Sequence, residues 1–544
     1  MTVESMKRLI AAVVTLSALV TLNAQNADLA RILYDNDYTG SARSTALGNA
    51  VTALGGDPGM AVINPAGSAV SSYSQFSITP GLYVSTMRSG YAPVGGYDEN
   101  YATGETNSWD ESTTRFVLPN IGFILNLDMY SSPVKNMAFG FMANSTGCFI
   151  DRGAVDGIND QYTSLLGSLA YECSYDGSGS YNPYSEEELN RDYGNDIYWP
   201  YQLAYKSGMI RHMDDGTYLG ATEVDRDGDI MVGGPLRQYY TRYTYGIKTD
   251  MVVNWAVNFN DRLLLGINLG VPVLSYTSEY SQTEKAISPE DFEYVLNDQL
   301  THFCQSSMNS YESVTARGIY GKFGLQWSPL DFLRVGAAIQ TPTSMQVVRR
   351  MRWDGNTRYD NLQASSVTPL GEESYRVTVP FRYNLGVAVT IAKMMLLSVD
   401  WESTPQTAMR YRNWDGATSS DYTEINDYLS RYGGNSNSIR AGFEAKPLDW
   451  MSIRIGYSRN ARIYRNEGGN DKDVTSTYSV GFGYSSPRSF YFDITGRFRK
   501  YPREWYYPYD DYIFDERGNL LCGTPELSFD KIAGDVLLTL GWRF

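Results

Sequence analysis

The feature that most constrains the fold is an alternation of apolar and polar side chains with a period of two, which recurs from about residue 72 to the C-terminus. Residues 490–500 show it best. Aromatic and aliphatic side chains occupy one set of alternate positions, and Asp493, Arg497 and Arg499 belong to the other. Successive side chains of a β-strand point to opposite faces, so the pattern predicts strands. A charged face opposite an aromatic one is typical of a strand between lipid and an aqueous lumen.

The alternation predicts fourteen antiparallel strands, an even number as bacterial single-chain membrane barrels have. The predicted fold is therefore all-β, a 14-stranded antiparallel transmembrane β-barrel over residues 73–544. The predicted strands start near Tyr73, Thr114, Val134, Thr244, Arg262, Ser313, Asp331, Arg376, Lys393, Asn437, Trp450, Thr475, Ser489 and Asp530.

The lengths of the links between these strands support a membrane barrel. Short and long links alternate, which is the outer-membrane arrangement of periplasmic turns and extracellular loops, and it leaves both termini in the periplasm. The eighth and ninth strands are nearly continuous at Ala392. The short links are residues 128–133, 260–261, 328–330, 447–449 and 485–488, and the long ones are residues 88–113, 149–243, 276–312, 341–375, 404–436, 463–474 and 501–529.

Composition and the last residue agree with this fold. The chain has 44 Tyr, 50 Gly and 14% aromatic residues, yet a mean hydropathy of -0.34, as expected of a barrel with aromatic girdles and polar loops. The last predicted strand ends on Phe544. A terminal aromatic resembles the signal that the outer-membrane assembly machinery reads, although an ordinary C-terminal strand would also account for it.

The first residues have the order of a secretory signal peptide. Lys7 and Arg8 precede an apolar run that ends near Leu22, and Ala24 precedes a polar stretch. The run is shorter than the about 20 residues that a membrane-spanning helix needs. Residues 1–24 are therefore predicted to be a signal peptide, and the mature chain is predicted to lie in the outer membrane of a Gram-negative bacterium, surrounded by its lipid.

The net charge of -16 argues against a nucleic-acid partner, which requires a basic face. Much of the excess acid falls in predicted loops. Residues 225–229 resemble a calcium-binding cluster, but Ile230 stands where an EF-hand has glycine. A solvated acidic loop is the better interpretation, and no metal site is predicted.

Histidines and cysteines give little support for catalysis or a cofactor. His212 and His302 both fall in predicted loops without a nucleophile motif, so no enzyme activity and no cofactor are predicted. The same histidines could ligate haem iron. The four cysteines lack metal-ligand spacing, and the extracellular context permits disulfides whose pairing the sequence leaves open. They are Cys148, Cys173, Cys304 and Cys522.

Residues 25–72 differ from the rest in being rich in glycine, alanine and serine. The ordered set Ala42-Arg43, Gly48, Ala50, Ala53, Gly56-Asp57 and above all Asn64, Pro65, Ala66 and Gly67 resembles the hatch of the FadL/TodX family of outer-membrane channels for hydrophobic compounds. The resemblance implies that residues 25–72 form a hatch inside the barrel lumen. Physically, small residues let such a plug pack closely against the wall, and proline fixes the backbone of the turn.

Weaker similarity to the family continues in residues 320–338, at Thr341-Pro342 and at Val379-Pro380. The long insertions at residues 149–243 and 276–312 depart from a standard member. Because the family captures its ligand with outer loops, these insertions leave the ligand class open.

The resemblance implies uptake by diffusion of hydrophobic small molecules, such as long-chain fatty acid-like or aromatic compounds, from the outer loops to a pocket beside the hatch. Phe292, Tyr294, Val295 and Leu296, in a predicted short helix after Pro289, could form an apolar capture surface. Packing of that loop onto the barrel rim explains them equally well. Two alternatives stay open: a surface scaffold or shuttle barrel whose long loops bind a protein partner, as in type IX secretion, and a haemin receptor.

Overall fold

A computed structural model describes the chain from residue 29 to residue 544, except residues 35, 93–106, 130–132, 161, 177–178, 195–196, 227–228, 297–298, 393, 467–468, 488 and 515–519. The predicted signal peptide, residues 1–24, lies outside the described residues. No helix among the described residues is long and apolar enough to cross a membrane.

Fourteen antiparallel strands close into a barrel, which confirms the predicted fold. Each strand pairs with the next along the chain, and β14 pairs with β1 from Gln75↔Arg543 to Ala92↔Glu526. Ser74 and Phe544 add two backbone hydrogen bonds of 3.1 and 3.0 Å to this closure. The strands are β1 (Gln75–Ala92), β2 (Asn107–Asp128), β3 (Val134–Cys148), β4 (Leu236–Phe259), β5 (Leu263–Ala286), β6 (Gln299–Leu330), β7 (Leu333–Gln340 and Thr343–Tyr359), β8 (Gly371–Val379 and Arg382–Ile391), β9 (Met395–Pro405), β10 (Asn435–Leu448), β11 (Met451–Asn466), β12 (Gly469–Ser485), β13 (Phe490–Lys500) and β14 (Glu526–Arg543).

Several strands extend further outward than the sequence predicts. β4 begins at Leu236 rather than Thr244, and β6 begins at Gln299 rather than Ser313. The second half of β7, Thr343–Tyr359, falls in a predicted loop. Beyond the membrane both faces of a strand meet polar surroundings, so the two-residue alternation that identifies the lower halves weakens there.

The outer face of the barrel is apolar at the height of the membrane. On β5, for example, Leu265, Ile267 and Leu269 are 41%, 41% and 53% exposed, and Asn268 between them is buried in the lumen. Such a belt of exposed aliphatic and aromatic side chains would be unfavourable in water. In a bilayer it is the surface that contacts lipid.

The lumen holds a plug formed by the N-terminal residues. Residues 29–34 are helical and form what we term the plug arm. They precede α1 (Ala42–Ala46), α2 (Pro58–Ile63) and a 3₁₀ turn, Pro65–Val70. Side chains of Ser41, Asp57 and Asn64 cap the three elements by accepting backbone hydrogen bonds. Most plug residues are buried.

The long loops form an outer cap with an apolar core of its own. The β3–β4 connection contributes a strand, Asp151–Asn159, then α3 (Leu165–Ser174), α4 (Glu186–Asn190), α5 (Trp199–Lys206) and two hairpins, Ile210–His212 with Tyr218–Gly220 and Glu223–Arg226 with Asp229–Val232. Elsewhere the loops contain α6 (Thr423–Tyr432), the 3₁₀ turns Pro289–Asp291, Gln406–Ala408 and Ser420–Tyr422, and the short strands Glu293–Leu296, Gln363–Val367, Arg410–Asn413, Glu504–Tyr506, Ile513–Phe514 and Leu520–Cys522.

Candidate functional site: the plug and the lumenal cavity

Asn64 of the hatch motif binds the plug to the barrel wall. Its Nδ2 donates hydrogen bonds to the carbonyls of Thr52 (2.6 Å) and Leu325 (3.1 Å), and its Oδ1 accepts one from the backbone of Ala66 (3.1 Å). The next carbonyl, that of Pro65, accepts a hydrogen bond of 3.0 Å from Asn254 on β4. The motif therefore joins two plug segments to two strands.

Glycines on the inner wall make this close approach possible. A β-carbon at Gly324 would lie 2.1 Å from Asn64 Oδ1, and one at Gly266 would lie 2.5 Å from the backbone of Pro65 and Ala66. The same holds around the plug, so a belt of glycines on eight of the strands faces it. The belt consists of Gly122, Gly266, Gly324, Gly336, Gly386, Gly442, Gly456 and Gly481. This role of the glycines is not among the predictions from the sequence. Glycine at the lumen-facing positions of so many strands is nevertheless a pattern that the sequence contains.

Wall side chains also bind the plug backbone. Lys322 donates to the carbonyl of Val62 (3.1 Å), Thr495 donates to the carbonyl of Ala42 (2.6 Å), and Asp400 accepts from the backbone N–H of Thr52 (2.7 Å). The plug has little regular secondary structure. A buried backbone N–H or C=O group without a hydrogen bond costs free energy. These wall contacts replace the partners that a sheet or long helix would supply.

Ion pairs in the lumen also hold the plug in place. Glu444 binds Arg43 of the plug (3.2 Å) and Arg454 of the wall (2.5 Å). Arg497 binds Asp535 (2.7 Å) and donates to the carbonyl of Tyr38 (3.0 Å). Glu444, Arg454, Arg497 and Asp535 thus each have a partner of opposite sign, which is the condition under which buried charges are tolerated.

A cavity of about 380 Å³ lies beside the plug arm, on the side of the outer cap. Leu29 and Ile32 of the arm form part of its wall. Cavities of this size bind small organic molecules. Its aromatic lining residues are Tyr38, Phe149, Tyr276, Tyr280, Tyr311, Trp353, Tyr501, Tyr506 and Phe529.

Glu504 connects the cavity wall, the plug arm and an outer loop. Its carboxylate binds Arg242 of β4 (3.0 Å) and Arg31 of the arm (3.4 Å). Burial alone would raise the pKa of Glu504, but the two guanidiniums outweigh it and lower this pKa to about 2. Glu504 is therefore ionised at neutral pH and holds both cations.

The barrel wall has a break beside this cavity. Among the described residues, the ladder between β2 and β3 runs only from Asn120↔Asn144 to Asp128↔Asn136. Past that point the chain turns inward, and Asp151–Asn159 pairs with β4. Asp151 accepts a hydrogen bond of 2.7 Å from Ser85 on the inner face of β1. Cys148 and Phe149, on this inward turn, line the cavity.

The proposed capture residues lie in the outer cap, away from the cavity lining. Phe292 and Tyr294 are 0% and 1% exposed in the cap core, where Tyr294 stacks on Tyr359 at 5.6 Å between ring centres. The predicted helix after Pro289 is wrong: a 3₁₀ turn is followed by the strand Glu293–Leu296, which pairs with an outward extension of β6. Val295 is 39% exposed, and of Leu296 only the backbone is described. Capture at this segment stays a prediction.

The histidines and cysteines are dispersed. His302 Nδ1 lies 2.8 Å from Asp360 in the cap, and the ring of His212 packs edge-on against Tyr218. All four cysteines are free thiols. Within the described ranges no three His, Cys, Asp or Glu side chains are grouped so that they could hold a metal ion. The predicted acidic loop at residues 225–229 lies in part outside them.

The solved structures that align with this chain do so at low sequence identity. No protein-family model and no curated protein matches the sequence. Among solved structures, a Pseudomonas aeruginosa FadL homologue aligns at 11% identity and TM-score 0.47, covering 94% of this chain and 99% of that one. The P. putida toluene transporter TodX aligns at 12% and 0.46 (94% and 99%), and the Ralstonia pickettii toluene transporter TbuX at 12% and 0.43 (93% and 98%).

The assignment of the chain as an outer-membrane barrel rests on its own strand pairings and surface. A ladder that closes from β14 back to β1, an exposed apolar belt and a polar, plugged lumen are together the features of bacterial outer-membrane barrels. The chain is an outer-membrane β-barrel of a Gram-negative bacterium, closed inside by its own N-terminal plug.

Proposed function

We propose that this barrel takes up hydrophobic small molecules across the outer membrane and binds them in the cavity beside the plug arm. The cavity between the plug and the outer cap, lined by nine aromatic and nine charged side chains, is the observation that carries this proposal. Because the plug occupies the lumen, the described part of the barrel is not a wide aqueous pore. Aromatic side chains in the cavity wall suit an apolar or ring-containing ligand. The hatch resemblance implies the same class of substrate.

The break between β2 and β3 offers a route of release. The inward turn that carries Cys148 and Phe149 lines the cavity, and among the described residues the outer half of β2 has no β3 partner. Phe116 of β2, 73% exposed, lies on that outer half. A ligand that leaves the cavity along this edge would enter lipid without having to remove the plug.

Native mass spectrometry with lipid extraction on the gently solubilised barrel tests this proposal. We expect a specific apolar compound to accompany the unsubstituted protein. Ser278→Trp, on the inner face of β5 within the cavity, should abolish its retention because the indole fills the site. Ser275→Trp, on the outward face of the same strand, is the matched control and should retain it.

A different result would favour another function. A stably bound protein with no enriched small molecule would support the scaffold or shuttle hypothesis, with the outer cap as the docking surface. A haem-like absorbance that follows His212 or His302 would support the haemin receptor. Equal retention of an apolar compound by both tryptophan variants would show that the cavity is not its site.

A further inference from the structure

The barrel wall has a second break, between β9 and β10. Their ladder ends outward at Pro405↔Asn435, and Gln406 adds one last backbone hydrogen bond, to the carbonyl of Gly434 (2.9 Å). Beyond it the β9 side continues as Arg410–Asn413, whose ladder among the described residues is with β8. On the other side β11 continues to Asn466, paired with β12. The helix α6 lies between these two edges.

Asn426 of α6 binds the edge of Arg410–Asn413 in the way a neighbouring strand would. Its Oδ1 accepts from the backbone N–H of Tyr411 (2.7 Å), and its Nδ2 donates to the carbonyl of the same residue (3.0 Å). A primary amide has the same donor and acceptor as a peptide group. One side chain thus substitutes for the missing ladder at this level of the wall.

The inner face of α6 packs against the plug arm. Ile425 and Leu429, both 5% exposed, belong to one apolar cluster with Leu29, Leu33 and Tyr34 of the arm. Leu29 also lines the lumenal cavity. On the opposite face of the helix, Glu424, Asp427 and Arg431 are exposed. The helix therefore separates the surroundings of the barrel from the plug arm by one layer of side chains.

The position and the ends of α6 suit a hinged element. The outermost exposed apolar pair on these strands is Trp401↔Ile439, so the helix lies just beyond the belt that contacts lipid. Gly433 ends the helix, and Gly416, with φ +93°, makes a turn seven residues before it, ahead of the 3₁₀ turn Ser420–Tyr422. A glycine at the C-terminal end and another in the segment that leads into the helix can absorb a backbone rotation.

We propose that α6 is a hinged wall panel, held shut by Asn426 and by the plug arm, which opens the lumen sideways at the height of the outer-leaflet head groups. The panel would admit an amphiphile from that layer without passage through the outer cap. Because the plug arm packs against the inner face of the panel, movement of the arm and opening of the panel are coupled. Entry of a ligand through the panel rests on the proposed function, whereas the hydrogen bonds to Tyr411 that hold the panel shut do not.

Thiol labelling of the full-length barrel in lipid vesicles tests the panel. In a background with the four native cysteines changed to serine, a membrane-impermeant maleimide reports the exposure of Leu429→Cys. We expect slow labelling, accelerated about tenfold by Asn426→Ala, which removes both hydrogen bonds to Tyr411. Asp427→Ala, an exposed neighbour on the same helix, should leave the rate unchanged.

A second set of variants tests the contact between the panel and the plug arm. Leu33→Ala should accelerate labelling of Leu429→Cys about fivefold, while Leu54→Ala, a buried plug leucine in a different cluster, should not. Heat-modifiable migration in gels verifies that each variant is a folded barrel, and Asn426→Ser replaces the alanine variant if that one fails to fold. Equal rates in the Asn426 and Asp427 variants would overturn the panel. So would labelling of Leu429→Cys as fast as that of Asp427→Cys.

Discussion

The side-chain oxygen of Asn64 lies 2.1 Å from the point that a β-carbon on Gly324 would occupy. These residues are 260 positions apart, yet the plug turn can make its hydrogen bond to the neighbouring carbonyl of Leu325 only because that point is empty. The relationship shows how the plug is held: the wall accommodates it with glycines and then binds its backbone with polar side chains. Each of the two contributions can be tested separately.

Gly324→Ala should loosen the plug. The added methyl group displaces Asn64, and overpacking of a close contact costs about 1–3 kcal/mol. We expect faster hydrogen–deuterium exchange of the amides of residues 57–70 with the barrel intact. Gly496→Ala is the matched control, since a β-carbon there would meet no atom within 4 Å. Unchanged exchange in Gly324→Ala would contradict the close packing of plug and wall.

Asn64→Ala should raise the ion conductance of the barrel in planar bilayers. It removes three hydrogen bonds and leaves the carbonyl of Thr52 and the N–H of Ala66 with fewer partners. Each unsatisfied buried group costs about 1–3 kcal/mol. Asn36→Ala, which loses one long hydrogen bond of 3.4 Å to Tyr38, should conduct like the unsubstituted barrel. If both variants conduct equally, Asn64 is not what fixes the plug.

Glu504→Gln should free the plug arm. The neutral amide forms no ion pair with Arg31 or Arg242, so the partly exposed attachment of the arm to the outer loop is weakened. A nitroxide label on Asn36→Cys, next to the arm, should then give a spectrum of higher mobility. Glu526→Gln, at the outer end of β14 and half-buried, accepts a hydrogen bond from Tyr507 and serves as the control. An immobile label in the Glu504 variant would exclude this coupling.

The outer cap should loosen as pH rises. Burial, and then the nearby Asp510 carboxylate, raise the pKa of Glu172 on α3 to about 8, and burial raises the pKa of Glu223 to about 7. A carboxyl whose pKa is raised by folding stabilises the folded cap when protonated. That contribution is complete below its unfolded pKa, near 4.3, and is lost as pH rises through 7 to 8.

Limited proteolysis of the cap between pH 6 and pH 9 measures this effect. We expect cleavage after correction for protease activity to accelerate severalfold over that range, and Glu172→Gln to reduce the dependence because its amide cannot ionise. Glu187→Gln, exposed on α4, should keep the full dependence. A pH profile that is the same in all three proteins would show that Glu172 does not govern cap stability.

The sequence alone determined the barrel and the plug. A strand between lipid and lumen must alternate every two residues, so each of the fourteen strands carried its own local signal, and the lumenal assignment of Asp493 and Arg497 followed from it. The Asn64–Gly67 motif likewise lies within one short segment. The close fit of Gly324 to Asn64 did not follow, because it depends on which strand passes the plug and at what height.

Only the tertiary structure decided what lies beyond the membrane. Outside lipid the alternation fades, so the outward half of β7 and the strand Glu293–Leu296 were not predicted, and Phe292 and Tyr294 proved to be core of the cap. The cavity and the contact between Asn426 and Tyr411 likewise depend on how distant segments meet. The physical reason is the difference in surroundings. A bilayer imposes the same two-residue alternation on every strand, whereas the loops are ordered by contacts between distant segments that no local sequence pattern records.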